Sequence, residues 1–337
     1  MKPESQSTKF SSHNELNEEH CLSLASFVVA AYNQENFIRE AVEAAFSQTY
    51  SPLEIILSDD RSMDSTFSIM KEMAASYRGP HKVLLNRNER NLGVAAHCDK
   101  IYSIASGDFI VGAAGDDISM PTRTSEIVAK FHSNPAIASV MSDVLVFGDR
   151  EGYYAKRPLG RHSSLLETIL LLETSFGASA AYDLRILKKF PPLRPRVQCE
   201  DGPAMFRCAL FGENHFISKP LVKYRVNQAS IMNRGEAAAR ARRHSKLYIR
   251  SAIQHYRDLE YFAANYRPAA AFYLPLMRLK IERMRSLLRS DMRSSSSYAT
   301  DKCLAAFFRI ARVLRLLHFK NWTERRDAIR RFPFPEK

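Results

Sequence analysis

Beyond the polar first twenty residues, three pairs of neighbouring carboxylates punctuate this chain: Asp59-Asp60, Asp116-Asp117 and Glu200-Asp201. The middle pair closes the stretch ASGDFIVGAAGDD, in which an apolar run, Phe109–Ala114, ends abruptly in two anionic side chains. An apolar run bounded by turn residues predicts a buried strand. Carboxylates at its end must be solvated, hydrogen-bonded or metal-bound, because unpaired charge near a core is expensive. Oxygen ligands of this hardness suit Mg²⁺ or Mn²⁺, and Mg²⁺ is usually held by one or two carboxylates plus substrate phosphates. A loop with two solvated aspartates explains such a dipeptide equally well when it stands alone. The surrounding elements decide between the two.

Those elements alternate. Leu24–Ala31, Leu53–Leu57, Lys82–Leu85 and residues 108–114 read as strands. Helical apolar spacing fills 35–48, 65–77 and 94–105, with Asp64 or Ser65 placed to cap the second helix. A β-α-β-α-β-α-β order predicts a doubly wound α/β sheet with right-handed crossovers. In such sheets ligands gather beyond the carboxyl ends of the strands, where Asp60, Asp116 and Asp117 fall. Further on, a helix is expected over 122–132, a strand over 138–147, a loop over 148–163 and a helix over 164–173. A strand follows at 176–182, then a rigid loop at 191–196, a helix over 203–211, and last strands at 216–217 and 221–226. Pro203 suits the first turn of its helix, which puts Asp201 near the positive end of the helix dipole. No GxGxxG follows the first strand and no Walker A sequence occurs, so a diphosphate would have to be met by a metal and basic side chains.

The chain of 337 residues is 45% hydrophobic and 25% charged, as in a soluble globular protein. Five scattered cysteines without a CxxC argue for reduced thiols in a cytoplasmic compartment and against a zinc site. No segment reaches the length of a membrane span. Charge divides the chain: residues 231–337 carry 24 Lys+Arg against 9 Asp+Glu, a balance of +15, while residues 1–230 stand at −2. We therefore expect a disordered leader at 1–20, a globular domain at 21–231 and a basic helical region at 232–337.

In this order and spacing, VVAAYNQENFIREAVEAAFSQTYSPLEIILSDDRSMDST, NLGVAA and ASGDFIVGAAGDD resemble the N-terminal half of family 2 glycosyltransferases of the GT-A fold. Glu200-Asp201 and LVKYRVNQASI (221–231) resemble the acceptor half. The resemblance implies a GT-A mixed sheet and an inverting transfer from a nucleotide-diphosphate sugar to a hydroxyl of a glycan or lipid-linked acceptor. By position, Ala30, Tyr32 and Asp60 match the nucleotide-base site, and Asp116 the ribose contact. Asp117, with Asp116, matches the site of an Mg²⁺ or Mn²⁺ ion. Asp201, and less so Glu200, matches the general base, and Arg225 a diphosphate contact. Three positions depart from the family: Ala114 where an Asp is frequent, Gly202-Pro203 where a Trp is frequent, and Asn227 where a His is frequent.

A catalytically inactive GT-A-like module that binds nucleotide or glycan is the competing reading. A nucleic-acid binder is a poorer match, because no reader motif accompanies the basic C-terminus. His97, His132 and His215 lack ligand spacing and read as structural or exposed. In residues 302–319, Leu304, Phe307, Ile310, Ala311, Leu314 and Leu317 share a helical face away from Arg309, Arg312 and Arg315. That pattern fits a helix lying in a membrane interface, peripheral to the inner face of the membrane, and equally one packed on its own protein or in a homo-oligomer.

Overall fold

The computed structural model of the chain describes residues 23–149, 151–153, 162–163, 177–195, 197–226 and 237–291. Its first half alternates as predicted: β1 (Ala25–Ala31), α1 (Ile38–Phe46), β2 (Leu53–Asp59), α2 (Thr66–Ser76), β3 (Lys82–Arg87), α3 (Val94–Ile104) and β4 (Phe109–Ala114). After these come β5 (Ile118–Ser119), α4 (Arg123–His132), β6 (Ile137–Gly148), β7 (Gly152–Tyr153), β8 (His162–Ser163) and β9 (Ala181–Asp183). The remaining elements are α5 (Leu184–Leu187), α6 (Asp201–Phe211), β10 (Glu213–Val226), α7 (Ala237–Asn265) and α8 (Leu274–Asp291).

The sheet runs β3-β2-β1-β4-β9-β6-β10-β5. Strands β3, β2, β1 and β4 are mutually parallel, β9 is antiparallel to both β4 and β6, and β10 is parallel to β6. The sheet is thus mixed. Strands covered on both faces read as continuous apolar runs, and the pleat sends alternate residues to opposite layers. Phe27, Val29, Ile55, Leu57 and Val111 enter one core with Ile38 of α1, Met70 of α2 and Ile127 of α4. Val28, Ile56 and Ile110 enter the other, with Ile101 of α3, Phe206 of α6 and Leu259 and Phe262 of α7. The α7–α8 helices therefore share a core with the sheet.

Three expected segments differ in detail. The loop expected at 148–163 contains the two-residue strands β7 and β8, which pair antiparallel with β6 and β10. The strand at 176–182 begins later, at Ala181, because Gly177–Ser179 forms a 3₁₀ turn. The two last strands are one, β10, whose register slips on β6 between Ile217 and Val222. Pro220 sits at the slip, and its missing N–H cannot join the ladder. The helix predicted at 164–173 and the segment 302–319 lie outside the described residues. No helix among the described residues is long and apolar enough to cross a membrane.

One buried ion pair ties α7 to α6. Arg207 Nε and Nη2 donate to Asp258 at 3.0 and 3.1 Å, and Nη2 also donates to the Pro191 carbonyl at 2.9 Å. Both side chains are almost fully enclosed. Breaking a buried pair from one side leaves an uncompensated charge and costs about 3–5 kcal/mol. Asp258→Ala should lower the unfolding free energy by about that amount. Urea denaturation is the check, and a loss within error of zero would mean that the pair is not desolvated.

Candidate functional site

The register of the sheet gathers most of the predicted positions. Ala30 of β1 lies opposite Ala114 of β4, and Ala31 lies opposite Asp59 of β2. The strand order reverses at β1, so the residues that follow β1, β2 and β4 meet at a switch point, where open sheets bind ligands. Asp60 N–H donates to the Ala31 carbonyl at 2.9 Å and Gly115 N–H to the Ala30 carbonyl at 3.0 Å, which carries the pairing past the strand ends. Gly115 is closely packed: a methyl there would come within 2.5 Å of Gln34 Oε1, which would have to turn away, and 3.0 Å of Ala31 Cβ.

Tyr32 stands 44% exposed just beyond β1. Asp60 is buried and already heavily used. Its Oδ1 accepts from Asn88 Nδ2 and Leu92 N–H, both at 2.8 Å, and its Oδ2 accepts from Gly93 N–H at 2.9 Å. Three of roughly four acceptor positions on the carboxylate therefore hold the 88–93 turn. Its neighbour Asp59 pairs with Arg87 at 3.2 Å and accepts from Ser62 N–H.

The Asp116-Asp117 turn is braced from three sides. Gln48, buried at the end of α1, donates to the Ala44 and Met120 carbonyls at 3.0 Å and accepts from Thr124, tying α1 to the start of α4. Arg225 of β10 donates from its backbone to Asp117 Oδ1 at 2.8 Å and from Nε to the Asp116 carbonyl at 2.9 Å. Its Nη2 reaches Glu40 at 3.0 Å, and its guanidinium lies between the rings of Phe37 and Phe147, 4.7 and 4.4 Å from their centroids. The residue expected at a diphosphate is thus also a strut of the turn. Arg123, fully buried, donates to Ser119 Oγ at 2.8 Å and to the Gly112 carbonyl at 2.6 Å.

Asp117 is 2% exposed, and its Oδ2 has no hydrogen-bond partner among the described residues. Burial, reinforced by the charge of Asp116, pushes its carboxyl up to about 8. Burial likewise raises Asp116 and pulls Arg123 down to about 9. A buried carboxylate oxygen without a donor is short of positive charge. That fits a divalent ion bound through one protein oxygen plus ligand phosphates. Asp116 and Asp117 are the residues that would hold it; no cluster of three or more metal-ligating side chains occurs among the described residues.

Glu200 and Asp201 sit where α6 begins. Glu200 occupies the N-cap position without a side-chain capping bond, and Asp201 Oδ1 accepts from Gly202 N–H at 2.8 Å. A methyl on Gly177 would lie 3.3 Å from both Asp201 Cβ and Glu200 Oε1. The 177–180 turn also bonds the end of β4, through Gly112 N–H to the Ala180 carbonyl at 3.2 Å. The small-residue turn therefore spaces the acidic pair from β4. Cys98 of α3 lies within electrostatic reach of Glu200, Asp201 and Asp60, so the first and third carboxylate pairs face a common region. Burial, then the neighbouring Asp201, lifts Glu200 to about 7. Its protonated form is therefore favoured by folding, and stability should fall as the pH rises from the ordinary value of 4.5 to about 7. Chemical denaturation across that range checks this, and Glu200→Gln should flatten the slope.

The histidines read as structural in the fold. His97 shares a 2.7 Å hydrogen bond with Ser58, His132 a 3.1 Å bond with Ser23, and His215 a 3.2 Å bond with Glu213. Arg123, Gln48 and Gly177 were not singled out from sequence. Gln48 and Gly177 act through partners distant in the chain, and nothing local marks Arg123 as buried although its partners Ser119 and Gly112 are near in sequence.

Residues 26–189 match the family described as Glycosyl transferase family 2. EpsE of Bacillus subtilis (strain 168) is 36% identical over 124 residues, 37% of this chain, and the match spans 44% of that relative's length. Among solved structures, residues 1–349 of S. aureus TarS in complex with UDP-GlcNAc align with TM-score 0.53 and 16% identity, covering 88% of this chain and 93% of that one. The mannosyltransferase PcManGT from Pyrobaculum calidifontis, in complex with GDP-Man and Mn²⁺, aligns with TM-score 0.50 and 17% identity over 90% of this chain and 84% of that one. At such identities the structural likeness is one of fold, and the fold is GT-A.

Proposed function

The chain belongs to glycosyl transferase family 2, and from that premise we propose that it is an inverting glycosyltransferase. It takes a sugar from a nucleotide-diphosphate donor and places it on a hydroxyl of a glycan or lipid-linked acceptor. The observation that carries this reading is Asp117, whose buried Oδ2 lacks a donor, together with a further carboxylate pair, Glu200-Asp201, which lies against the 177–180 turn that bonds to β4. A binding-only module has no use for that further pair. The transfer domain we assign to 21–231, with 232–337 as its basic extension.

The residues divide the work as follows. Tyr32 offers an exposed ring to the base, and the remaining acceptor position of Asp60 takes a base N–H. Ala30, with no bulk beyond Cβ, leaves the strand end open to the nucleoside. Asp116 faces the ribose. A Mg²⁺ or Mn²⁺ ion bound at Asp117 would neutralise charge developing on the leaving diphosphate. Arg225 fixes the turn that carries both aspartates and is the guanidinium nearest the phosphates. On the opposite side, Asp201 removes the proton from the acceptor hydroxyl as its oxygen attacks the anomeric carbon. Attack from the face away from the leaving group inverts that centre. Glu200 is the alternative base.

The test is a donor screen with UDP-, GDP- and dTDP-sugars, run with Mn²⁺, Mg²⁺ or EDTA. The anomeric configuration of the product is read by NMR. One donor should be consumed in a metal-dependent way, with inversion. Nucleotide binding without turnover of any donor, alone or with glycan and lipid-linked acceptors, would leave the inactive-module reading in its place.

A further inference from the structure

The two C-terminal helices enclose a groove of about 360 Å³ that has no part in the site above. Its walls are one face of each helix. Tyr256, Arg257 and Glu260 come from α7, and Arg278, Glu282 and Arg285 from α8, at spacings of three and four residues that align side chains along a helix. Ile281, buried, lies at the base. The volume is that of roughly a dozen waters.

Three guanidinium groups therefore converge on one groove, and they are not equally engaged. Arg285 donates to Glu282 at 2.8 Å, with about half of each side chain exposed. Arg278 is exposed. Arg257 is half-buried, and its Nη1 is shielded from water without a hydrogen-bond partner among the described residues. A cationic N–H so placed is unfavourable until an acceptor arrives. Glu260 is exposed and Glu282 is engaged by Arg285, and neither satisfies Arg257. Guanidinium forks match the oxygens of a phosphoryl group, and the exposed Arg285–Glu282 pair is weak enough to be exchanged for one.

We propose that the α7–α8 groove is a second binding site, which takes a phosphoryl group on Arg257, Arg278 and Arg285. The group comes either from a soluble phosphate or diphosphate or from the headgroup of an anionic phospholipid. The proposal does not depend on the glycosyl transfer proposed above.

Full-length protein is titrated in EDTA with inorganic phosphate and with inorganic diphosphate. In a second arm it is floated with vesicles of phosphatidylglycerol in phosphatidylcholine, or of phosphatidylcholine alone. One of the two arms should show binding. Arg278→Gln/Arg285→Gln, which alters only exposed side chains, should weaken it at least about tenfold, and Arg257→Gln should do the same. A control that removes two exposed charges elsewhere, Lys71→Gln/Lys100→Gln, should leave it intact. Absence of binding in both arms overturns the proposal. So does binding that survives the double arginine variant, or that the lysine control weakens equally.

Discussion

Asp201→Asn lowers kcat by about 10²–10⁴, the usual contribution of a positioned general base, while donor affinity stays close to wild type. The local structure is expected to survive. The bond that Asp201 Oδ1 accepts from Gly202 N–H can be kept by the amide oxygen of Asn, so the start of α6 retains its contact. What is lost is the capacity to take a proton. Glu200→Gln run beside it separates the two carboxylates. Burial puts Glu200 at about 7, a suitable value for a base, yet its Oε1 lies close to Gly177. If Glu200→Gln abolishes turnover and Asp201→Asn does not, the assignment is reversed. Equal losses of donor affinity and turnover in Asp201→Asn would point instead to a structural role at the helix start.

The first half of the fold was legible because buried parallel strands and amphipathic helices write themselves locally. Val28-Val29, Ile55–Leu57 and Phe109–Val111 are apolar because both faces are covered, and the helices between them show their period. Asp60, Asp116 and Asp117 could be placed because they stand where those runs stop. The rest depends on contacts that no local pattern encodes. Asp60 was expected to present its carboxylate to a base, but three backbone and side-chain donors from the 88–93 turn converge on it. Arg225 was expected at phosphate, and its spacing gave no hint of Glu40, Phe37 and Phe147, which lie far away in sequence. The charge step near residue 231 suggested a separate module. Composition is blind to Leu259 and Phe262, whose burial joins α7 to the core of the sheet.

Asp117→Asn is expected to remove about two to three orders of magnitude of turnover, the scale of losing one preorganised electrostatic group at the leaving charge, with the fold intact or slightly stabilised. The stability half follows from burial. Wild-type Asp117 carries a carboxyl pushed up to about 8, with Asp116 beside it and no donor on Oδ2. Asn keeps the acceptor that meets Arg225 N–H and is neutral from the outset, so folding no longer has to protonate a carboxyl whose charge burial opposes. The activity half follows from the same deletion, since a neutral amide is a poor ligand for a hard divalent cation. The two halves can be read separately. A thermal melt without ligand reports the relief of buried charge. A melt with Mn²⁺ and a nucleoside diphosphate reports the cation site, where the shift seen for wild type should shrink in the variant. Were kcat in Mn²⁺ or Mg²⁺ to match wild type, Asp117 would be a structural aspartate fixing Arg225, and the cation role would have to be given up.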